Sequence, residues 1–372
     1  MNNIIYIISL KYAQGLKKEF IAVGNNFRKQ GFQVRYLLAK PYKYLGHNPS
    51  FVNYVTVSNN LKSMLFDTFL EIYQKKILNI FSKQNPSLLF FYNTHPLNPF
   101  LAQLAKKKFP STIVTVYLHD PFKPDKKPYG IKKSFIIKFV ETIQKRTVKF
   151  SDYVISPSKY SSELFNRYYK NFKGKNYIAP LLIPDCGNLK IKKREFFVNI
   201  QSGVHPATGQ DTFIDLINYV AEKGKNYRFV LISHGNISKF LSQLTKKGHN
   251  IVKIINKKII TEEEINNVVQ KSYGVFRLAR EVTQSGVIPV AFMNSAPIIA
   301  RNIPGHTQDI QHNQNGYIVP FDCKMEDLVL AMDYIKINFG NLSKNSRKKY
   351  KEIWDEQNWE KYYNKIEEVL KR

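Results

Sequence analysis

The residues best placed to do chemistry run from Arg280 to Phe292, Arg-Glu-Val-Thr-Gln-Ser-Gly-Val-Ile-Pro-Val-Ala-Phe. This stretch follows a short apolar run ending near Phe276 and passes into Val287, Val290 and Ala291 at helical spacing, so it reads as a loop entering a helix. Pro289 lacks a backbone N–H and is tolerated only in a first turn, which puts the cap at Ser285 or Gly286. The N–H groups of Gly286, Val287 and Ile288 would then form a site of the kind that takes phosphate, and Gly286 would let a pyrophosphate approach the backbone. An ordinary N-capped helix accounts for the same run.

Such a loop has to be held by a scaffold, and the sequence supplies one twice. The first half alternates short apolar runs (4–10, 33–38, 51–57, 87–91, 112–118, 153–155) with helical patterns (16–29, 61–82, 97–107, 132–149, 159–168). Residues 178–184, bounded by Pro180 and Pro184, read as an extended crossing. A second series follows, with strands at 196–201, 227–233, 251–255, 274–276, 297–300 and 316–319 and helices at 211–223, 237–247, 261–271, from about 285, and 325–338. Strand and helix in repeated alternation imply an α/β fold with parallel sheets covered on both faces, here as two Rossmann-like domains. Ligands of such sheets bind outside the carboxyl ends of the strands, so a deep cleft between two facing domains is expected. The expected division is 1–183, 184–350 and an amphipathic C-terminal helix, 351–372, packing back toward the first domain.

Composition narrows the class. Apolar residues make up 43% of the 372 and aromatics 14%, spread over the whole length, so the entire chain is expected to fold. Cys186 and Cys323 are distant and have no metal-type spacing, which argues against a zinc site or a disulfide framework. Residues 4–10 read as a buried strand and not as a signal peptide, and no run reaches the roughly 18 apolar residues that span a bilayer. A cytoplasmic protein, soluble or peripheral at the membrane, is the expectation. The net charge of +29 draws polyanions, whether nucleic acid, an anionic membrane or a phosphorylated substrate. No zinc-finger spacing, aromatic RNA-binding signature or helix-turn-helix pattern supports nucleic acid. In 132–149, Phe135, Ile136, Ile137, Phe139, Val140 and Ile143 lie beside Lys132, Lys133, Lys138, Lys145 and Arg146, a pattern that suits an anionic membrane surface or a core-facing helix with a solvated basic edge.

Several motifs occur together and in order. Thr283-Gln284-Ser285-Gly286-Val287 is followed by Pro297-Ile298-Ile299-Ala300, Pro304-Gly305 and Asn315-Gly316-Tyr317-Ile318-Val319. This series resembles the donor-binding domain of glycosyltransferase family 4, in the branch that carries a Thr-Gln-Ser-Gly-Val run. Asp152-Tyr153-Val154-Ile155-Ser156-Pro157-Ser158 and Val116-Tyr117-Leu118-His119-Asp120 resemble segments of its first domain, so the likeness extends from about 112 to 322. It implies a GT-B fold and retaining transfer of a sugar from a nucleotide-diphosphate sugar to a hydroxyl of a glycan or lipid-linked acceptor, in synthesis of capsule or lipopolysaccharide. No metal or other cofactor is implied.

By the same resemblance His119, Asp120 and Glu281 are the catalytic candidates, and donor contacts fall on His205, Thr208, Gly209, Arg280, Thr283, Gln284, Ser285, Gly286, Val287 and Gln308. Gly15, Lys17 and His95 are acceptor-side candidates at the ends of strands. His119 can donate to a sugar hydroxyl or to developing charge, in either protonation state. The sequence departs from the family where a diphosphate-contacting Arg and Lys are usual, since His205 and Thr208 stand there. The positions of the Glu-x7-Glu pair hold Val282 and Val290. A non-catalytic scaffold of a polysaccharide assembly complex is the alternative those departures raise.

Overall fold

Ile4–Ser9 is buried along its whole length, as a central strand covered on both faces has to be. The computed structural model describes residues 4–45, 50–56, 71–82, 85–187, 193–201, 206–257 and 260–371. Ile4–Ser9 (β1) lies between Gln33–Ala39 (β2) and Leu88–Phe91 (β4) in a seven-stranded sheet completed by Val52–Thr56 (β3), Ile113–Tyr117 (β5), Tyr153–Ser156 (β6) and Lys175–Ile178 (β7). The order is β3-β2-β1-β4-β5-β6-β7 and every pairing is parallel. Helices Lys17–Lys29 (α1), Glu71–Ser82 (α2), Leu97–Lys108 (α3), Ile131–Val148 (α4) and Lys159–Tyr168 (α5) intervene. Residues alternate between two cores, with Ile5, Ile7, Phe20, Phe27 and Tyr36 in one and Ile4, Tyr6, Ile8, Phe91 and Leu101 in the other.

The second sheet has the order β10-β9-β8-β11-β12-β13 and is again wholly parallel. Its strands are Phe196–Gln201 (β8), Phe229–Ser233 (β9), Val252–Asn256 (β10), Ser272–Arg277 (β11), Ile298–Arg301 (β12) and Gly316–Val319 (β13). The helices among and after them are Gln210–Glu222 (α6), Ser238–Leu241 (α7), Lys246–His249 (α8), Glu262–Val269 (α9), Val287–Met293 (α10), Pro304–Thr307 (α11), Met325–Ile337 (α12) and Phe339–Ile353 (α13). The last helix, Trp359–Lys371 (α14), contributes Trp359, Tyr363 and Ile366 to the core of the first sheet. Packing gathers Met1–Pro124, Lys132–Pro184 and Glu356–Arg372 into one unit, and Asp125–Ile131 with Asp185–Asp355 into another.

Three elements differ from the sequence reading. The helix expected over 237–247 is two short helices, because Thr245 turns extended and caps a fresh start, its hydroxyl accepting from the Gly248 N–H at 3.0 Å. Residues 175–178 are a strand that the reading lacked, overlapping the crossing expected over 178–184 at Ile178 alone; their Lys-Asn-Tyr-Ile composition hides an edge strand that is half-exposed. Residues 339–353 are a helix that buries only Leu342, Ser346 and Tyr350, a stripe too narrow to stand out among its lysines and asparagines. Of the helix expected over 61–82, residues 61–70 lie outside the described residues.

Candidate functional site

Strand order reverses in the second unit between β8 and β11, the place where ligands sit in an open parallel sheet. After β8 the chain reaches a 3-10 turn, Pro206–Thr208, and then Gly209 at φ 70° before α6. His205 lies outside the described residues. A Cβ on Gly209 would stand 1.9 Å from the Leu278 carbonyl oxygen, so this glycine is required by the fold itself. The turn is fixed by Arg280, whose N–H donates to the Ala207 carbonyl at 2.8 Å, and by Gln201, whose Nε2 donates to the Thr208 carbonyl at 3.0 Å. Tyr129 reaches the same place from the Lys127–Tyr129 turn and donates its hydroxyl to the Glu281 carboxylate.

The loop from Leu278 to Gly286 is held from several directions. Arg280 makes a bidentate pair with Asp211 at 2.9 and 2.7 Å, so the cation expected at the phosphate site has a carboxylate partner. Gln308 Nε2 donates to the Thr283 carbonyl at 3.0 Å, which makes it a brace of the loop, and Thr283 is fully buried. Gln284 and Val287 are half-buried beside it. The Ile288 N–H folds back onto the Ser285 carbonyl at 3.2 Å, and the cap of α10 is Gly286, as the Pro289 argument anticipates. The helix is only seven residues long, so local N–H groups matter here more than a summed dipole.

Two neighbours in this loop are unexplained by packing. The Ser285 hydroxyl oxygen is buried and has no hydrogen-bond partner, which a fold ordinarily avoids. Gly286 is exposed, takes ordinary helical angles of φ −63° and ψ −14°, and has nothing within 4 Å of where a Cβ would be. No feature of the protein itself calls for glycine there, in contrast to Gly209.

In the first unit the strand order reverses between β1 and β4. Ser9 at the end of β1 bonds Tyr42 at 3.0 Å and accepts from Asn93 Nδ2 at 2.8 Å, joining the loops that carry Gly15 and His95. Gly15 is exposed in the turn Gln14–Leu16, whereas Lys17 is buried at the start of α1 and its pKa is lowered by desolvation. His95 is fully buried, and its Nδ1 accepts from the Leu97 N–H at 3.2 Å. Burial, with Lys11 nearby, pushes its pKa down to about 3, so this ring is a neutral cap on α3.

His119 rests against Tyr92 and Tyr117 with ring centres 5.7 and 4.8 Å away. Its Nε2 is 3.2 Å from the Tyr92 carbonyl, which makes that nitrogen the donor and leaves the lone pair of the neutral ring on Nδ1. Desolvation lowers the pKa to about 4 against the pull of Asp120 and that carbonyl. The ring is therefore neutral near pH 7, which narrows the two protonation states expected from sequence to one. Asp120 pairs with Lys123 at 2.9 Å.

The second unit thus carries Thr208, Gly209, Arg280, Glu281, Thr283, Gln284, Ser285, Gly286, Val287 and Gln308 in the segments that follow β8, β11 and β12, while Gly15, Lys17, His95, His119 and Asp120 follow strands of the first. Sequence reasoning missed Tyr129, Arg277, Asp211 and Arg301, although Arg277 and Arg301 each close an otherwise apolar strand, which is the one signal they gave.

The whole chain is similar in structure to solved proteins. A sucrose-phosphate synthase from Thermosynechococcus elongatus is 14% identical, with a TM-score of 0.75 over 99% of this chain and 98% of its own. Anabaena HepE in complex with UDP-glucose is 14% identical at a TM-score of 0.73, covering 99% of each chain. The fold is GT-B. WaaG, a glycosyltransferase involved in lipopolysaccharide biosynthesis, matches this GT-B chain at 13% identity and a TM-score of 0.69, over 94% of this chain and 95% of that one. No protein-family model matches the sequence, and no curated protein matches it significantly.

Proposed function

We propose that this chain is a glycosyltransferase that binds a nucleotide-diphosphate sugar at the Thr283–Val287 loop and transfers the sugar, with retention, to a hydroxyl of a glycan or lipid-linked acceptor. The observation that carries the reading is the pair Ser285 and Gly286, a buried hydroxyl without a partner beside a glycine that packing does not require. An incoming phosphate oxygen would satisfy the first and explain the second. The GT-B fold and its solved neighbours, one of them a complex with UDP-glucose, support a nucleotide sugar as that ligand.

In the transfer the bond between the anomeric carbon and the diphosphate oxygen breaks, a bond to the acceptor oxygen forms, and the acceptor hydroxyl gives up its proton. Charge grows on the departing diphosphate, where the N–H groups of Gly286 and Val287 and the Ser285 hydroxyl would meet it. Neutral His119, half-buried just after β5, suits a hydrogen-bonding role toward a sugar hydroxyl. Among the described residues no helix is long and apolar enough to cross a membrane. A lipid-linked acceptor of surface polysaccharide synthesis, met by a peripheral enzyme at the cytoplasmic face, agrees with the +29 charge and with the involvement of WaaG in lipopolysaccharide biosynthesis.

Thermal unfolding with UDP, GDP, ADP and CMP tests this directly. Gly286→Val should leave the ligand-free midpoint within the range of surface substitutions, about 0.5 kcal/mol, yet remove the stabilisation that one nucleotide gives the wild type. Absence of any shift in the wild type would favour the non-catalytic scaffold that the substituted loop cations suggest.

A further inference from the structure

The carboxyl ends of β8, β11 and β12, three consecutive strands of the second sheet, carry a polar cluster buried beneath the Pro206–Gly209 turn. Arg277 ends β11 at 8% exposure, donating from Nη1 to the Ile200 carbonyl at 3.2 Å and to Gln201 Oε1 at 3.5 Å. Arg301 ends β12 at 5% exposure, donating from Nη2 to the Thr212 hydroxyl at 2.7 Å. The Nε of each is buried with no partner. His306 packs with them, its Nδ1 3.1 Å from the Arg301 carbonyl and its Nε2 unpartnered. Gln210, at the first position of α6, is wholly buried with neither amide atom bonded. Among the described residues neither Arg277 nor Arg301 makes an ion pair.

Buried guanidinium without a carboxylate is expensive, and a fold keeps it only for a reason. The one acid bonded into the group is Asp211, which Arg280 takes bidentately. Asp215, one turn further along α6, is exposed to water, and Glu281 receives the Tyr129 hydroxyl. His306 adds no charge, since desolvation, helped by Arg277, drives its pKa to about 3. Arg280 is thus paired, and Arg277 and Arg301 are two guanidiniums to which, among the described residues, no carboxylate is bonded. The sequence from 205 to 209 has no Lys or Arg of its own.

We propose that Arg277 and Arg301 supply the fixed positive charge that balances the diphosphate of the bound nucleotide sugar. The diphosphate of a nucleotide sugar, esterified at both ends, carries one negative charge on each phosphorus, one for each guanidinium. Placed on strand ends and not on a mobile side-chain tether, the two cations are oriented before the ligand arrives and need no reorganisation as charge moves onto the leaving group. The unpartnered Nε, His306 and Gln210 atoms are the polar lining such a ligand, or waters between it and the guanidiniums, would satisfy.

This inference rests on the nucleotide-sugar reading, and the experiment separates the two. The full chain and its Arg277→Met and Arg301→Met variants are titrated calorimetrically with the nucleoside diphosphate that stabilises the wild type, with its monophosphate, and with inorganic pyrophosphate, at constant ionic strength. Each variant should fold with an unchanged or higher ligand-free midpoint, because an unpaired buried charge has gone, and should lose at least tenfold in preference for diphosphate over monophosphate. Retention of the wild-type preference by both variants overturns the proposal while leaving the nucleotide-sugar reading intact. Wild-type indifference to every nucleotide sinks that reading alone if pyrophosphate still binds and the variants abolish it, and sinks both if pyrophosphate fails too. Where Met is not tolerated, Gln, which keeps a donor for the Ile200 carbonyl or the Thr212 hydroxyl, is read in its place. If neither neutral variant folds at either position, the guanidiniums belong to the fold and the proposal falls.

Discussion

Glu19 sits in the first turn of α1 at 8% exposure, with Oε2 unpartnered, and burial pushes its pKa up to about 8. Tyr42, Tyr92, Tyr117 and Tyr363 all feel its charge, so ionisation would put a carboxylate among phenolic rings. A carboxyl that ionises later in the folded chain than in the unfolded one contributes stability that is whole below about pH 4.5 and is lost as the pH rises through about 8. Glu19→Gln should therefore flatten the fall in unfolding midpoint between pH 5 and 8.5 and be the more stable protein at the alkaline end by about 1–3 kcal/mol; parallel curves for the two proteins would contradict the buried neutral acid. At this scale the sequence exposed the Ser285-Gly286 pair because Pro289 restricts where a helix can start. It hid Tyr129 and the strand-end arginines because only tertiary packing tells an arginine that closes a buried strand from one that meets water. It also spoke for His95 as an acceptor-side group, whereas the ring is sealed over the start of α3.

Elements were legible where burial is two-sided. Runs such as Leu88–Phe91 and Ile298–Arg301 are buried throughout, and an apolar tetrapeptide between polar breaks leaves few alternatives. Half-exposed elements were not, which is why β7 and α13 escaped notice. The C-terminal helix is the informative middle case, amphipathic in sequence and anchored by aromatics. Trp359 stacks on Tyr363 with ring centres 4.0 Å apart, meets Phe27 edge-on at 5.0 Å, and donates its indole N–H to Glu367. Trp359→Ala should cost about 3–5 kcal/mol, by the usual scale for truncating a buried large aromatic, and the loss should fall on the unit to which α14 belongs. Calorimetry of the variant should then show an early transition ahead of a later one that nucleotide still raises. A single transition shifted as a whole would mean that the two units unfold as one.

Charge and apolar surface meet on α4. Ile131, Phe135 and Phe139 follow one another at intervals of four and are 82, 68 and 38% exposed, one stripe along the helix with no protein covering it. Lys133, Lys138, Lys145 and Arg146 lie on the same helix, and the Lys138 ammonium is 6.0 Å from the Phe135 ring centre. A stripe of this kind on a chain of net charge +29 combines the two contributions that hold a helix at a lipid surface, rings buried among acyl chains and about 1 kcal/mol for each cation near anionic headgroups. The two contributions come apart experimentally. Co-sedimentation with vesicles containing phosphatidylglycerol should be strong at low salt, should weaken as salt shortens the reach of the charges, and should be absent with pure phosphatidylcholine. Replacing Phe135 and Phe139 together by Ser should leave the charge unchanged yet weaken binding about tenfold or more, at roughly 0.8 kcal/mol per buried methylene equivalent. Equal binding by the double variant would mean that the basic excess acts alone and that the aromatic stripe serves another partner, which would remove the helix from the proposed route to a lipid-linked acceptor.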